Sequence, residues 1–266
     1  MPELAEVEFN RKRWDPGIGQ KVLRVALHGT KRVFRGEKLE LLQKKLPGST
    51  LKGSEARAKQ MLFHFSGGLW IGIHLGMTGG LRVEPADFEP GKHDHLVLFQ
   101  KRQALIFSDP RQFGRIRVAE SRAEPEWWAS LPPEVLSREW TEERLQSFLK
   151  RRARLAVKAA LLVQSAFPGV GNWMADEILW HARVNPKTLC GDLSHAQISA
   201  LWRESRNICR TAMKTVGVTY EDPPEDWLFH ERWKKDGHCP RHGTELQTAT
   251  VGGRTTRWCA KCQGRS

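Results

Sequence analysis

The tightest constraint on this chain lies near its end. Cys239-Pro240-Arg241-His242 and Cys259-Ala260-Lys261-Cys262 form a two-plus-two array of sulfur and nitrogen donors, with sixteen residues between the pairs. Ligand pairs separated by two residues sit on tight turns and can converge on one tetrahedral ion, and zinc is the metal that takes such donor sets. A segment this short has little apolar material of its own, so a bound ion would hold it together. The plainer alternative is a surface histidine and three thiols lacking a fourth partner, and His238 stands close enough to replace His242 as donor. Four protein ligands leave no position open for water, so the array implies one structural zinc ion. Val251-Gly252-Gly253, between the pairs, offers the turn of a β-hairpin. Of the five cysteines only Cys190 and Cys209 fall outside this module, and they read as plain buried residues. The odd count and the clustering argue against a disulfide scaffold.

The rest of the chain divides by pattern. Glu3–Trp14 places Leu4, Val7 and Trp14 on one helical stripe, which Asp15-Pro16-Gly17 stops. Short β-like runs follow at Val22–Leu27, Met61–Phe65, Leu69–His74, His95–Phe99, Ala104–Phe107 and Ile116–Val118. Such a row, with turns such as Ser66-Gly67-Gly68 between its members, predicts an all-β sandwich or barrel after the first helix. Pro125, Pro132, Pro133 and several acids mark a linker. Beyond it the pattern is helical. One helix starts at Thr141-Glu142-Glu143, a second covers Leu155–Gln164, and a third is opened by Asn172 as its N-cap. A fourth begins at the capping box Ser194-His195-Ala196-Gln197, with a stripe of Ile198, Leu201, Trp202, Cys209 and Met213. The expected class is therefore α+β and multidomain, with modules at residues 1–120, 137–228 and 229–266 and a linker at 121–136.

Lys plus Arg number 43 against 30 Asp plus Glu, a formal net charge of +13 over 266 residues. That balance speaks to partners: a polyanion, a membrane surface, or none beyond solubility. No single basic amphipathic stretch stands out and no apolar run approaches the ~18 residues of a membrane span, so nucleic acid leads and no membrane partner is expected. The acidic start, Met1-Pro2-Glu3-Leu4-Ala5-Glu6, is unlike a secretory peptide, which makes the expected location cytoplasmic.

Two further segments carry chemistry. Removal of Met1 ahead of the small Pro2 would leave a secondary α-amine, and α-amines have pKa values near 8, well below lysine. Such an amine can attack an electrophilic carbon and pass on to an iminium. Glu3 and Glu6, three apart on the first helix, could divide acid and base work beside it, although acids in a first turn ordinarily just complement the dipole. The second segment is Pro168-Gly169-Val170-Gly171-Asn172 between two helices. Its free N–H groups and the following helix dipole would suit a phosphate, whereas most such turns are only turns. Lys158 and the run Lys150-Arg151-Arg152-Ala153-Arg154 lie upstream; the plain reading of that run is a solvated face.

Taken together, Pro2-Glu3-Leu4-Ala5-Glu6-Val7, Gly169-Val170-Gly171-Asn172 with Ala175-Asp176-Glu177, and Gly252-Gly253-Arg254 inside the metal hairpin resemble the formamidopyrimidine-DNA glycosylase and endonuclease VIII family of base-excision repair enzymes. The resemblance covers essentially the whole chain. It implies a helix and two-sheet β-sandwich, then a helix–two-turn–helix domain, then a C-terminal zinc-finger hairpin. It also implies Pro2 as nucleophile at the sugar C1′, Glu3 as proton donor and shuttle, Glu6 as a supporting carboxylate, and Lys59 beside the lesion. Asn172 and Arg254 would grip flanking phosphates, with Lys158 and Glu177 in support. His74-Leu75-Gly76-Met77-Thr78-Gly79 and Asp109-Pro110-Arg111-Gln112-Phe113-Gly114 resemble the loops that fill the hole left by an extruded nucleotide, through Met77, Arg111 and Phe113. Outside the resemblance, Met77 and Phe113 would read as core residues and His74 as a structural histidine.

Three departures stand out. Ala5 replaces the family's usual proline, His242 replaces a zinc cysteine, and Lys214–Trp233 lacks the longer loop that closes over an oxidised purine. Preference among oxidised purines, oxidised pyrimidines, abasic sites and bulky adducts is thereby left open. The expected activity is a DNA glycosylase and AP lyase acting as a monomer on damaged duplex or abasic-site DNA. The competing expectations are a catalytically weak binder of abasic or distorted DNA and a zinc-ribbon protein adaptor.

Overall fold

The computed structural model describes residues 1–264, which form two compact units: Met1–Pro2 with Glu6–Leu131, and Glu3–Ala5 with residues 132–264. In the first unit α1 (Leu4–Lys12, shared at its start with the second unit) precedes β1 (Arg24–Leu27) and α2 (Leu39–Lys45). Seven further strands follow: β2 (Leu51–Arg57), β3 (Gln60–Phe65), β4 (Leu69–His74), β5 (Gly80–Pro85), β6 (Asp94–Phe99), β7 (Gln103–Ser108) and β8 (Arg115–Glu120). They make two antiparallel four-stranded sheets, ordered β1-β6-β7-β5 and β2-β3-β4-β8. Side chains alternate across a strand, and here both faces find cover. Leu96, Leu98, Leu105 and Phe107 of one sheet meet Met61, Phe63, Phe65, Ile71 and Ile73 of the other, closed by Val7 and Trp14. The opposite faces are covered too. Val97, Phe99, Ala104 and Ile106 pack with Phe88, and Leu62 and Trp70 pack under Trp128 of α3 (Glu126–Ala129). This double burial explains why β4, β6 and β7 read as unbroken apolar runs.

The runs expected as strands are all present. The apolar pattern does not reveal β2 and β5, which are edge strands, or α2. Leu51-Lys52-Gly53-Ser54-Glu55-Ala56-Arg57 has no apolar face long enough to detect, and backbone pairing with β3 makes it a strand.

The second unit holds α4 (Glu142–Lys150), α5 (Val157–Leu161), α6 (Asn172–His181), α7 (His195–Lys214) and α8 (Val216–Thr219). The hairpin β9 (Gln247–Val251) and β10 (Arg254–Trp258) and the short α9 (Ala260–Gln263) follow. Thr141 caps α4 by accepting from the Arg144 N–H, and Ser194 and Gln197 complete the reciprocal capping box of α7. Two helix expectations need correction. The α5 helix is half the expected length. It starts late because Leu155 O accepts from the Cys190 N–H and the Val157 N–H donates to Thr188 O, which holds this backbone extended. After Leu161 the chain passes into tighter turns, Leu162 N–H to Ala159 O and Val163 N–H to Ala160 O. Asn172 is the first residue of α6 rather than its cap; the cap position is Gly171 and its side-chain partner comes from elsewhere. The eleven tryptophans are largely packing residues: Trp14, Trp128 and Trp180 are among the largest wholly buried side chains. No helix among the described residues is long and apolar enough to cross a membrane.

Candidate functional site

The second unit builds its site around an anion held at a helix start, and that anion is the protein's own. The Glu3 carboxylate, 3 % exposed, accepts from the N–H groups of Gly171 (2.8 Å) and Met174 (3.2 Å) through Oε2, and of Trp173 (3.0 Å) through Oε1. Helix starts leave such N–H groups without intrahelical partners and concentrate positive potential there, so a carboxylate satisfies both. The turn's own N–H groups at 169–171 are not free for the expected phosphate: Gly169 donates to Gln164 Oε1, Val170 to Phe167 O and Gly171 to Glu3. Glycine at 171 follows from the same contact, since a Cβ there would lie 2.4 Å from the Glu3 carboxyl carbon. The Leu4 N–H donates to Gly169 O at 3.1 Å and seats the chain start on the same turn.

Asn172 and Arg254, 82 residues apart in the numbering, are brought together. Asn172 Nδ2 donates to Thr255 O at 2.9 Å, so the side chain is tied to the residue after Arg254. Arg254 is exposed at the end of a two-residue turn in which Gly252 and Gly253 both have positive φ, +61° and +72°. That backbone suits a tight hairpin and favours glycine at both places. Gly252 also lies against α5, where an added Cβ would sit 2.7 Å from Ala159 Cβ.

Lys158 and Glu177, expected in support of the phosphate grip and grouped with the DNA-binding residues, lie beneath this surface and not on it: both are wholly buried, so neither reaches DNA directly. Lys158 Nζ donates to Asn172 O (2.7 Å) and to Asp176 Oδ1 (2.5 Å). Burial pushes the Lys158 ammonium below the usual lysine range, and the Asp176 charge opposes that. Asp176, to which sequence pattern assigns no role, also takes Arg232 Nη2 (2.7 Å) and the Arg257 N–H (3.3 Å) on Oδ2. One carboxylate thus ties α5, α6, the 228–232 segment and β10 together. Glu177 accepts from the N–H groups of Leu228 (3.1 Å) and Phe229 (2.8 Å), with burial raising its carboxyl above the ordinary range.

In the first unit Pro2 and Glu6 are half-buried and Lys59 is buried at 6 % exposure. Lys59 sits in the two-residue turn between β2 and β3, after Ala58 with φ +56°. A non-glycine residue in that region stores roughly 1–3 kcal/mol of strain. Burial lowers the pKa of His74, and Lys59 is one of the charges, with Arg35 and Arg117, that lower it further. His74 Nδ1 accepts from the Gly76 N–H at 3.0 Å.

The 74–79 and 109–114 loops are laced together. Asp109 accepts from Thr78 Oγ1 (2.6 Å) and the Gly114 N–H (2.7 Å), and Gly76 abuts the backbone of Phe113 and Gly114. Met77 and Phe113 are 46 % and 43 % exposed, so neither is a core residue, and the Arg111 guanidinium lies 4.8 Å from the Phe113 ring centroid. Thr78 and Asp109 do the fastening. Both stand inside the two loop motifs, yet nothing in the sequence pairs them.

Cys239, His242, Cys259 and Cys262 present four donor atoms within 4.8 Å of one another, a cluster able to hold one metal ion. His238 is not part of it; its N–H donates to Glu231. Trp180 Nε1 lies 3.4 Å from Cys239 Sγ, and Arg241 covers the Trp180 ring at 3.7 Å.

Residues 1–116 match the formamidopyrimidine-DNA glycosylase N-terminal domain and residues 131–222 the formamidopyrimidine-DNA glycosylase H2TH domain. The chain belongs to the formamidopyrimidine-DNA glycosylase family. Relatives named formamidopyrimidine-DNA glycosylase from Roseiflexus sp. (strain RS-1) and Xanthomonas campestris pv. campestris (strain B100) are 34% and 36% identical, each match covering 99% of this chain and 100% of the relative. Among solved structures, the Lactococcus lactis enzyme bound non-covalently to DNA containing an AP site has a TM-score of 0.86 at 28% identity. That match covers 99% of this chain and 100% of the other. A structure of the Lactococcus lactis enzyme with DNA containing an oxidised pyrimidine gives a TM-score of 0.87 at the same identity. Membership makes the chain an enzyme of the DNA-repair glycosylase class.

Proposed function

We propose that this family member is a bifunctional DNA glycosylase and AP lyase that acts from its own N-terminus. The observation that carries the reading is Glu3. The residue next to Pro2 is fixed by three N–H bonds to the start of α6, whose first side chain, Asn172, is tied to the turn bearing Arg254. A phosphate gripped by Asn172 and Arg254 would bring its sugar toward the mature amine.

In this scheme the Pro2 nitrogen attacks C1′ as the damaged base departs with its bonding electrons and takes up a proton. The proline nitrogen loses its proton, and ring opening gives an iminium between Pro2 and C1′. Loss of a C2′ proton then expels the 3′ phosphate by β-elimination. Loss of a C4′ proton expels the 5′ phosphate by δ-elimination, and water releases the sugar remnant from Pro2. Glu3 is assigned the proton delivered on ring opening, with Glu6 and Lys59 in support near the lesion. An extruded nucleotide leaves a hole, and exposed Met77, Phe113 and Arg111 are assigned to fill it and meet the orphaned base.

The metal assigned to the Cys and His cluster is zinc. Metal–sulfur distances of ~2.3 Å and metal–nitrogen distances of ~2.0 Å give tetrahedral edges of roughly 3.5–3.8 Å. The separations are 3.6 Å for Cys239–Cys262, 3.7 Å for Cys239–His242, 3.9 Å for Cys259–His242 and 3.0 Å for Cys262–His242. Zinc there would supply no catalysis, only a rigid base for the hairpin that carries Arg254. We assign the catalytic module to residues 1–120, the helical module to 137–228 and the zinc finger to 229–266, working on cytoplasmic DNA. The named neighbours include complexes with an abasic site, an oxidised pyrimidine and Fapy-dG, so no lesion is singled out.

The test is borohydride trapping of the mature protein on abasic-site and oxidised-base duplexes. A covalent adduct that maps to Pro2, and is lost when a leading residue is retained, is expected. Absence of any adduct, or strand scission unaffected by an N-terminal extension, overturns the reading.

A further inference from the structure

Lys150-Arg151-Arg152-Ala153-Arg154 has no part in the scheme above, yet it is the densest basic run in the chain. All five residues are exposed, and with Leu155 they line an open groove of about 530 Å³. Among the described residues none of the four cations makes an ion pair; Arg152 lies over the Phe148 ring at 4.5 Å. A run of this kind on a loose loop would be a solvated face. Here the backbone is pinned on both sides. Ala153 O accepts from the Gly191 N–H and Leu155 O from the Cys190 N–H, both at 2.9 Å, while Arg151 and Arg152 close the last turn of α4 onto Ser147 O and Leu149 O. Gly191 sits so near that a Cβ would approach Ala153 Cβ to 2.9 Å. The cations therefore stand on fixed backbone, which lowers the ordering cost of binding.

Their position is informative. The run leads into α5, whose Lys158 holds the Asn172 carbonyl and whose Ala159 abuts Gly252 of the Arg254 turn. From Arg154 to Ala159 the chain advances roughly 8 Å if helical and up to about 16 Å if extended. A duplex strand rises about 3.4 Å per nucleotide, so that distance spans a few nucleotides. Guanidinium forks match phosphate oxygens two at a time, and three of the four cations are arginine.

We propose that the 150–154 loop is a second DNA-backbone site, gripping phosphates of undamaged duplex a few nucleotides from the Asn172–Arg254 grip. The inference rests on the DNA-glycosylase reading and adds to it a lesion-independent anchor.

The test compares wild type with R151Q/R152Q/R154Q and with the charge-keeping R151K/R152K/R154K. Affinity is measured between about 50 and 200 mM salt on a long lesion duplex, a long undamaged duplex, and a lesion duplex trimmed to its central base pairs. Each phosphate that is no longer neutralised makes the slope of log affinity against log salt shallower by ~0.9, so the glutamine triple should lose about 2–3 from the slope. Its affinity should fall at least tenfold for both long duplexes and little for the trimmed one. The lysine triple should keep most of the wild-type slope, and adduct formation at saturating DNA should match wild type in all. A glutamine triple with the wild-type slope, or one equally weakened on the trimmed duplex, overturns the proposal. The single variant R154Q, expected to lose about 0.9, provides the same reading should the triple melt early. A wild type that neither forms an adduct nor binds DNA would instead sink the glycosylase reading itself.

Discussion

Replacement of Glu3 by glutamine is ordinarily a chemical test, but this structure makes it a test of folding as well. Three buried N–H groups converge on the carboxylate, two on Oε2 at 2.8 and 3.2 Å and one on Oε1 at 3.0 Å. Glutamine keeps the shape but offers one acceptor oxygen. With that oxygen facing Gly171 and Met174, its NH2 group meets the Trp173 N–H donor to donor; turned over, it meets two donors. At least one buried N–H is left unmade, at a cost of ~1–3 kcal/mol, and the surviving bonds fall from charge-assisted to neutral strength, by about 1 kcal/mol. Removing negative charge from the positive end of α6 adds ~0.3–1 kcal/mol. The sum is about 2–5 kcal/mol. At about 2–4 °C per kcal/mol for a protein of this size, E3Q should melt roughly 10 °C below wild type. Matched thermal unfolding of the two proteins at neutral pH measures this, alongside base release and cleavage of a pre-made abasic site. Base release should suffer more than lyase action. If E3Q melts within about 2 °C of wild type, the Glu3 carboxylate does not cap α6 and cannot fix the chain start there.

Gly171→Ala should displace the Glu3 carboxylate, because the new Cβ would lie 2.4 Å from its carboxyl carbon; steady-state assays should show base release reduced at least tenfold, and wild-type rates would contradict the close approach. Chelation should unravel the terminal hairpin and abolish lesion binding, and metal content should fall in His242→Ala but not in His238→Ala, as atomic absorption would show. Burial, followed by the charges of Lys59, Arg35 and Arg117, lowers the His74 pKa below the ordinary 6.5. Above pH 6.5 folded and unfolded chains are both neutral at this residue; below it the unfolded chain binds the proton first, so stability falls with falling pH until the folded pKa is reached. Urea midpoints at pH 7.5 and 5.5 should accordingly differ less in His74→Gln than in wild type.

Local chemistry is enough to foresee much of this molecule. The apolar runs of the sheets, the Ser194 capping box and the two-plus-two donor array each follow from spacing within a few turns of chain, because periodicity and capping are local interactions. The expected stripe of Leu4, Val7 and Trp14, by contrast, is divided between two cores, and Trp14 lies past the end of α1. Edge strands such as β2 escape, since their pairing energy lies in the backbone and not in side-chain pattern. The interactions that set the candidate site are of another kind. Glu3 meets Gly171 across 168 positions, Asn172 meets Thr255 across 83, and Thr78 meets Asp109 across 31. Sequence alone determined which groups were available, namely the carboxylate, the glycines that admit close approach and the thiols. Only the tertiary structure decided that the helix start at α6 holds the protein's own Glu3 and that Lys158 works from beneath. Buried N–H groups and charges are satisfied by whatever partner the packed chain delivers, and no local rule names that partner in advance.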